Sequence, residues 1–296
     1  MLEMSDREKF LFDLQGFLHV KQILTPEEVK AMNDAIDANV PPFTEENWTG
    51  TNVYGGGMAG KASDHGCGGM LTWPQPWCQP FRDLLAHPRA IPYLNTIFGR
   101  GWKLDHRPGC IMARKGKGGH GLHGNTSRIF DGAQFYNCTN GQIRTGLTVF
   151  QYQLADINPG DGGITVIPGS HKANFKCPED IMLYNEDKQC VYNVASKAGD
   201  LVIFMEATIH GALPWTADHE RRSLLYRYCP KYMQWAPHNY GDHKLPDWTA
   251  ELTDQQRAVL EPPYMDNRPL IEDDGETLVR PPHEPKPYIP RKIHEM

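Results

Sequence analysis

From residue 101 onward the chain is written in short β-branched and aromatic runs. They are TGLTVFQYQLADI (145–157), GGITVIPGSH (162–171), GDLVIFMEATIHG (199–211) and RRSLLYRYCP (221–230), each bounded by Gly, Pro, Asp or Asn. No long helical pattern separates them. That excludes a doubly wound parallel sheet, and several short strands with turn signals mean an antiparallel sandwich or barrel. The helical signals come earlier. TPEE places a hydroxyl cap at Thr25, Pro26 at the first helical position and Glu28 three residues on, and Val29, Met32 and Ile36 recur at helical spacing. The fold class is therefore mainly β with flanking helices, the helical N-terminal third packing outside a β core.

FLHVKQIL, after Gly16, reads as a short strand, and FRDLLAHPRAIPYLNTIFG as one or two short helices ending at Gly99. Residues 44–80, with YGGGMAG and DHGCGGM, read as one long loop. From 262 the chain is proline-rich and reads as an extended arm, wrapped over the domain or reaching a neighbouring subunit, so that an oligomer through this arm is open. The expected organisation is one domain over 1–261 and an arm over 262–296.

A net charge of −6 on 296 residues leaves no basic footprint for nucleic acid and no polybasic membrane patch. No apolar run approaches membrane-spanning length, and the charged opening MLEMSDREKF does not read as a secretory leader. The seven cysteines are scattered, odd in number and never C-x-x-C, which argues against a disulfide framework or zinc knuckle and for reduced thiols in the cytoplasm. The expected partners are a small molecule and O2.

Chemistry concentrates in two places. KGGHGLHGNTSRIFDG (117–132) carries His120 and His123 on a segment too rich in glycine for a helix, and a histidine pair on a loop or strand suggests a metal. Lys115, Lys117 and Arg128 flank it, as a solvated loop or as contacts to an anionic substrate. Downstream, alternation along one strand would put Phe204, Glu206, Thr208 and His210 on a common face. Arg221 and Ser223 share a strand face farther on, and a guanidinium beside a hydroxyl is a natural clamp for a carboxylate. Arg222 takes that role if the strand slips by one residue.

Three stretches, GFLHVKQILTPEEV, LADINPGDGGITVIPGSHK and GDLVIF…H…R, together resemble the phytanoyl-CoA dioxygenase family of iron(II)/2-oxoglutarate oxygenases, over most of residues 10–230. The resemblance implies a double-stranded β-helix, or cupin-like jelly roll, with Fe(II) at the barrel mouth and 2-oxoglutarate as co-substrate. It implies His210 as the distal histidine ligand, Arg221 as the 2-oxoglutarate carboxylate binder and Ser223 as its hydroxyl partner. The family writes its first ligands as His-x-Asp, which with the distal histidine form a facial triad. The best match here is His123-Gly124-Asn125, with His123 the first ligand and Asn125 in the carboxylate position.

The third metal position therefore has several candidate occupants. They are the Asn125 amide oxygen, another acid such as Asp131, chloride, or nothing, and His120 is an alternative to His123. Glu206 is set aside because an extended strand would hold it more than ~10 Å from His210. The expected activity is hydroxylation of a small molecule with release of succinate and CO2. A 2-oxoglutarate-dependent halogenase and a catalytically silent binding jelly roll are the alternatives.

Overall fold

A computed structural model of the chain describes residues 4–42, 65–116, 119–125, 131–236, 245–263 and 268–282. The first helix, α1 (Asp6–Gln15), starts at a Ser5–Glu8 capping box and stops at Gly16, whose φ of 78° ends it in a left-handed turn. β1 (Phe17–Val20) follows. α2 (Pro26–Asn39) begins as TPEE predicts: the Thr25 hydroxyl accepts from the Glu28 N–H, and the Glu28 carboxylate accepts from the Thr25 N–H. Val29, Met32 and Ile36 are buried on one face.

The remaining helices are α3 (Gln79–Asp83), α4 (Ile91–Phe98), α5 (Glu179–Met182) and α6 (Asp254–Leu260), with Gly99 closing α4. Residues 65–80 depart from the loop reading. His65–Gly68 form a strand, β2, because β4 (Gly109–Ala113) offers it an antiparallel edge; pairing overrides the weak strand preference of HGCG. Residues 43–64 lie outside the described residues.

Two antiparallel sheets face each other. The other strands of the larger are β3 (Lys103–Leu104), β8 (Thr148–Gln153), β11 (Leu201–Met205) and β13 (Arg221–Cys229). Its order is β1-β11-β8-β13-β4-β2, with β3 on the side of β13. The smaller has the order β10-β9-β12-β5, from β5 (His120–His123), β9 (Gly163–Val166), β10 (Tyr192–Asn193) and β12 (His210–Leu213). A separate hairpin joins β6 (Tyr136–Thr139) to β7 (Gln142–Thr145). This is the jelly roll expected of the sequence.

The larger sheet is covered on both faces, so its strands read as continuous apolar runs, yet the two faces differ. Leu201, Ile203, Phe150, Tyr152, Leu224 and Tyr226 point outward into the main core with α2, α3 and α4. Val202, Phe204, Val149 and Leu225 point inward, toward the smaller sheet. Interleaved with them on the inward face of β8 and β13 are polar side chains, and these build the site.

Among the described residues no helix is long and apolar enough to cross a membrane. The described part of the C-terminal segment lies against α4 and α6: it forms a hairpin of β14 (Leu270–Ile271) and β15 (Leu278–Val279), and the Asn95 amide donates to the Ile271 carbonyl at 3.0 Å. Arg268, 1% exposed, donates to the carbonyls of Gly101, Ala258, Glu261 and Pro262, satisfying the end of α6. Arg268→Met is expected to lower the unfolding free energy by about 3 kcal/mol, since it strips buried carbonyls of their donor. Arg280→Ala, which removes a half-exposed pair with Glu261, should cost under about 1 kcal/mol. Urea unfolding of both variants checks this.

Candidate active site

The inward faces of the two sheets enclose an open cavity of about 90 Å³, lined by residues of β4, β5, β8, β9, β11, β12 and β13. Its metal-ligating corner follows from strand register. β12 pairs with β5 so that His210 stands directly opposite His123, and their rings lie 4.1 Å apart between centroids.

Each ring is fixed through the same nitrogen. His123 Nδ1 donates to the Gly121 carbonyl at 3.0 Å, and His210 Nδ1 to the Thr208 carbonyl at 2.7 Å. A proton held on Nδ1 leaves the Nε2 lone pair for a metal. Burial pulls the pKa of His123 down to about 3, helped by the neighbouring His210 and His120, and burial pulls that of His210 down to about 4. Both imidazoles are therefore neutral at neutral pH, the form that ligates.

The third member of the corner is Glu206. Ligand atoms of His123, Glu206 and His210 all lie within 4.8 Å of one another, and Glu206 Oε2 is 3.8 Å from His210 Nε2. Setting Glu206 aside assumed one extended strand through 204–210, and that strand does not exist. β11 ends at Met205, the chain turns with the Thr208 N–H donating to the Met205 carbonyl, and β12 starts in the other sheet at His210. The reversal folds Glu206 back over the histidine. Arg227 Nε holds the other carboxylate oxygen at 3.4 Å.

Gly124 makes this approach feasible. Its φ is +104°, and a Cβ there would stand 2.6 Å from the Thr208 carbonyl oxygen and 2.8 Å from that of Glu206. The 206–208 turn thus packs directly on the backbone beside His123.

The other expected ligands are placed differently. Asn125 adopts φ +38° and donates its amide nitrogen to the carbonyls of Ser170 and Ala173, away from the role that the His-x-Asn spacing gave it. Asp131 accepts from the Ala133 N–H in a local turn. His120 lines the cavity with its ring 4.6 Å from that of His123, outside the three-residue cluster. Lys115 pairs with Asp218, and Lys117 and Arg128 lie outside the described residues.

At another part of the cavity Arg221, 1% exposed, donates from Nε to the Ser223 hydroxyl at 3.2 Å. Ser223 in turn donates to Gln153 Oε1 at 2.8 Å. Gly163 passes under the guanidinium, where a Cβ would press on Arg221 Nε at 3.3 Å. The amide nitrogens of Gln151 and Gln153 are buried without a hydrogen-bond partner among the described residues, and Gln151 lines the cavity. A guanidinium with buried amide donors nearby suits a carboxylate ligand. Arg222 points to the opposite face, paired with Glu220 and Asp37.

A chain with a jelly roll, two metal-ready imidazoles and a buried guanidinium has the parts of a non-haem iron oxygenase. The family model described as phytanoyl-CoA dioxygenase (PhyH) matches residues 12–223. The chain belongs to that family, and it is a non-haem iron enzyme that depends on 2-oxoglutarate. Its fold is similar to that of HygX from Streptomyces hygroscopicus, solved with nickel and 2-oxoglutarate, at 19% identity over 78% of this chain and 90% of that one, with a TM-score of 0.63. It is also similar to AviO1 from Streptomyces viridochromogenes Tue57 (16% identity, 80% and 99% covered, TM-score 0.54). SnoK, a non-haem α-ketoglutarate-dependent carbocyclase from nogalamycin biosynthesis, is a third such structure (16%, 84% and 91%, TM-score 0.52). No curated protein matches the chain.

Gly124→Ala is expected to lower stability by about 2–3 kcal/mol and to weaken binding of a Ni(II) probe, because the added methyl must push the Glu206 turn off β5. Gly160→Ala, with φ +92° but open space, should cost only about 1 kcal/mol and leave Ni(II) binding unchanged. Denaturant unfolding and metal titration separate the two.

Proposed function

We propose that the protein is an Fe(II)/2-oxoglutarate-dependent oxygenase that hydroxylates a small molecule, releasing succinate and CO2, and that His123, His210 and Glu206 hold its iron. The observation that carries this reading is the three-residue cluster. Two neutral imidazoles and one carboxylate, with ligand atoms within 4.8 Å, are the donor set of a facial triad. The carboxylate comes from the β11–β12 turn. This weighs against chloride at the third position, because the anionic ligand is already supplied by the protein.

Arg221 and Ser223 are assigned to the far carboxylate of 2-oxoglutarate. Their support is geometric: the guanidinium is held by Ser223, which is itself anchored to Gln153, so the donors are oriented before the ligand arrives. When bound, iron and 2-oxoglutarate supply the oxidising chemistry that activates O2 against a substrate C–H bond. The chain's own work is to orient and to exclude water. The Nδ1 hydrogen bonds keep both imidazoles aimed, Arg227 steadies Glu206, and Phe204, with its ring 4.7 Å from that of His210, walls the corner with hydrocarbon.

Reconstituted with Fe(II), the protein should convert 2-oxoglutarate to succinate in an O2-dependent manner. Arg221→Met should raise the 2-oxoglutarate Kd about a hundredfold, the ~3 kcal/mol typical of removing one partner of a buried charge pair, whereas Arg222→Met should change it only a few-fold. Damage from Arg222 instead would place the strand one residue out of register. Glu206→Gln should weaken Fe(II) binding at least about tenfold, by replacing an anionic ligand with a neutral one. Asn125→Asp should not tighten it, since the new carboxylate would face the Ser170 and Ala173 carbonyls. Anaerobic Fe(II) titration reads both.

A further inference from the structure

The cysteines of the described residues are free thiols, and two of them face each other. β2 and β4 run antiparallel with Cys67 directly opposite Cys110, and Cys110 lies opposite Leu224 of β13. The row sits on the outward face of the larger sheet: Cys110 belongs to the main core and Cys67 packs against its rim, whereas Ile111, the next residue, lines the cavity. The pair is thus on the other side of the sheet from the proposed iron corner.

The Cys110 thiol lies 3.7 Å from the Ile111 carbonyl oxygen, with Cys67 as its cross-strand neighbour. Directly opposite residues hold their Cβ atoms about 4.5–5.5 Å apart. A disulfide needs about 3.5–4.5 Å, so a shift of roughly 1 Å closes it. Among the described residues β2 is the edge strand of its sheet with a single paired neighbour, so it can make that shift.

The surroundings also divide the roles. The neighbouring Cys110 and the positive charge of Arg222 lower the pKa of the Cys67 thiol against its partial burial. The neighbouring Cys67, with full burial, raises that of Cys110. The more acidic sulfur is the partly exposed one, as an attacking thiol requires, and the buried one is placed to resolve it.

We propose that Cys67 and Cys110 form an oxidisable dithiol site that reacts with a hydroperoxide and closes to a disulfide between β2 and β4. The Cys67 thiolate attacks a peroxide oxygen and the O–O bond breaks. Sulfur is oxidised to the sulfenic acid, and the peroxide is reduced to an alkoxide that takes a proton and leaves as the alcohol, or as water from hydrogen peroxide. Cys110 then loses its proton to solvent and attacks the sulfenic sulfur. The S–S bond forms, the S–O bond breaks, and hydroxide leaves as water. Two thiols and one hydroperoxide give one disulfide, one alcohol and one water.

The test uses the reduced full-length chain, loaded with Ni(II) to suppress iron–peroxide chemistry, and hydrogen peroxide near stoichiometry. Peptide mapping should recover a Cys67–Cys110 cross-link, lighter by two hydrogens and reversed by dithiothreitol. Cys110→Ser should trap Cys67 as a sulfenic acid that dimedone labels, and Cys67→Ser should give neither product. Wild-type mapping needs no variant to fold. If peroxide modifies the exposed Cys138 and Cys190 while Cys67 and Cys110 stay free thiols in the folded chain, or if Cys67 cross-links to another cysteine, the proposal is overturned.

Discussion

The proposed metal corner depends on one strand pairing, that of β12 with β5, which sets His210 across from His123. Two imidazoles with ring centroids 4.1 Å apart inside a protein are tolerable only when both are uncharged, and burial keeps them so. The carbonyls of Gly121 in β5 and of Thr208 in the turn before β12 choose the tautomer. The pairing therefore delivers separation, protonation state and aim together. It also requires the chain to leave the larger sheet after Met205 and re-enter the smaller one at His210, and that crossing brings Glu206 to the histidines.

The cavity's charges are arranged along β13 and the turn that faces it. Arg221, Ser223, Leu225 and Arg227 share the inward face by strand alternation. Arg221 is fixed through Ser223 and Gln153, and Arg227 is paired with Glu206. A carboxylate as buried as Glu206 is costly without a cationic neighbour, and Arg227 meets that need. The anchoring is built before any ligand binds, which is how a site on sheet strands keeps its geometry.

Much of this was legible in the sequence. The β-branched runs specify short strands, Thr25-Pro26-Glu27-Glu28 specifies the start of α2, and Arg221 with Ser223 at spacing two specifies a shared face, each a local rule that tertiary structure leaves intact. Glu206 was not legible. Period-two alternation treats 204–210 as one strand, and only the need to connect two sheets breaks it at Met205. Asn125 is placed away from the histidines for the converse reason. Spacing from His123 suggested a ligand, but the backbone turns to φ +38° and the amide is spent on Ser170 and Ala173. β2 was missed because glycine-rich HGCG has little strand preference of its own and owes its form to β4. Local rules read faces and caps; they do not read contacts made by chain reversal.

In the proposed iron site the carboxylate comes from Glu206 in the β11–β12 turn and not from the residue after His123-Gly124. A crystal structure of the protein with Co(II) and 2-oxoglutarate, the metal located by its anomalous signal, tests it most directly. The expected result is a metal bound by Nε2 of His123, Nε2 of His210 and a Glu206 carboxylate oxygen at about 2.0–2.2 Å, as for first-row divalent ions. Asn125 should remain on the Ser170 and Ala173 carbonyls. A metal held by the two histidines with chloride, water or the Asn125 oxygen in the third position, and Glu206 still turned to Arg227 alone, would contradict it.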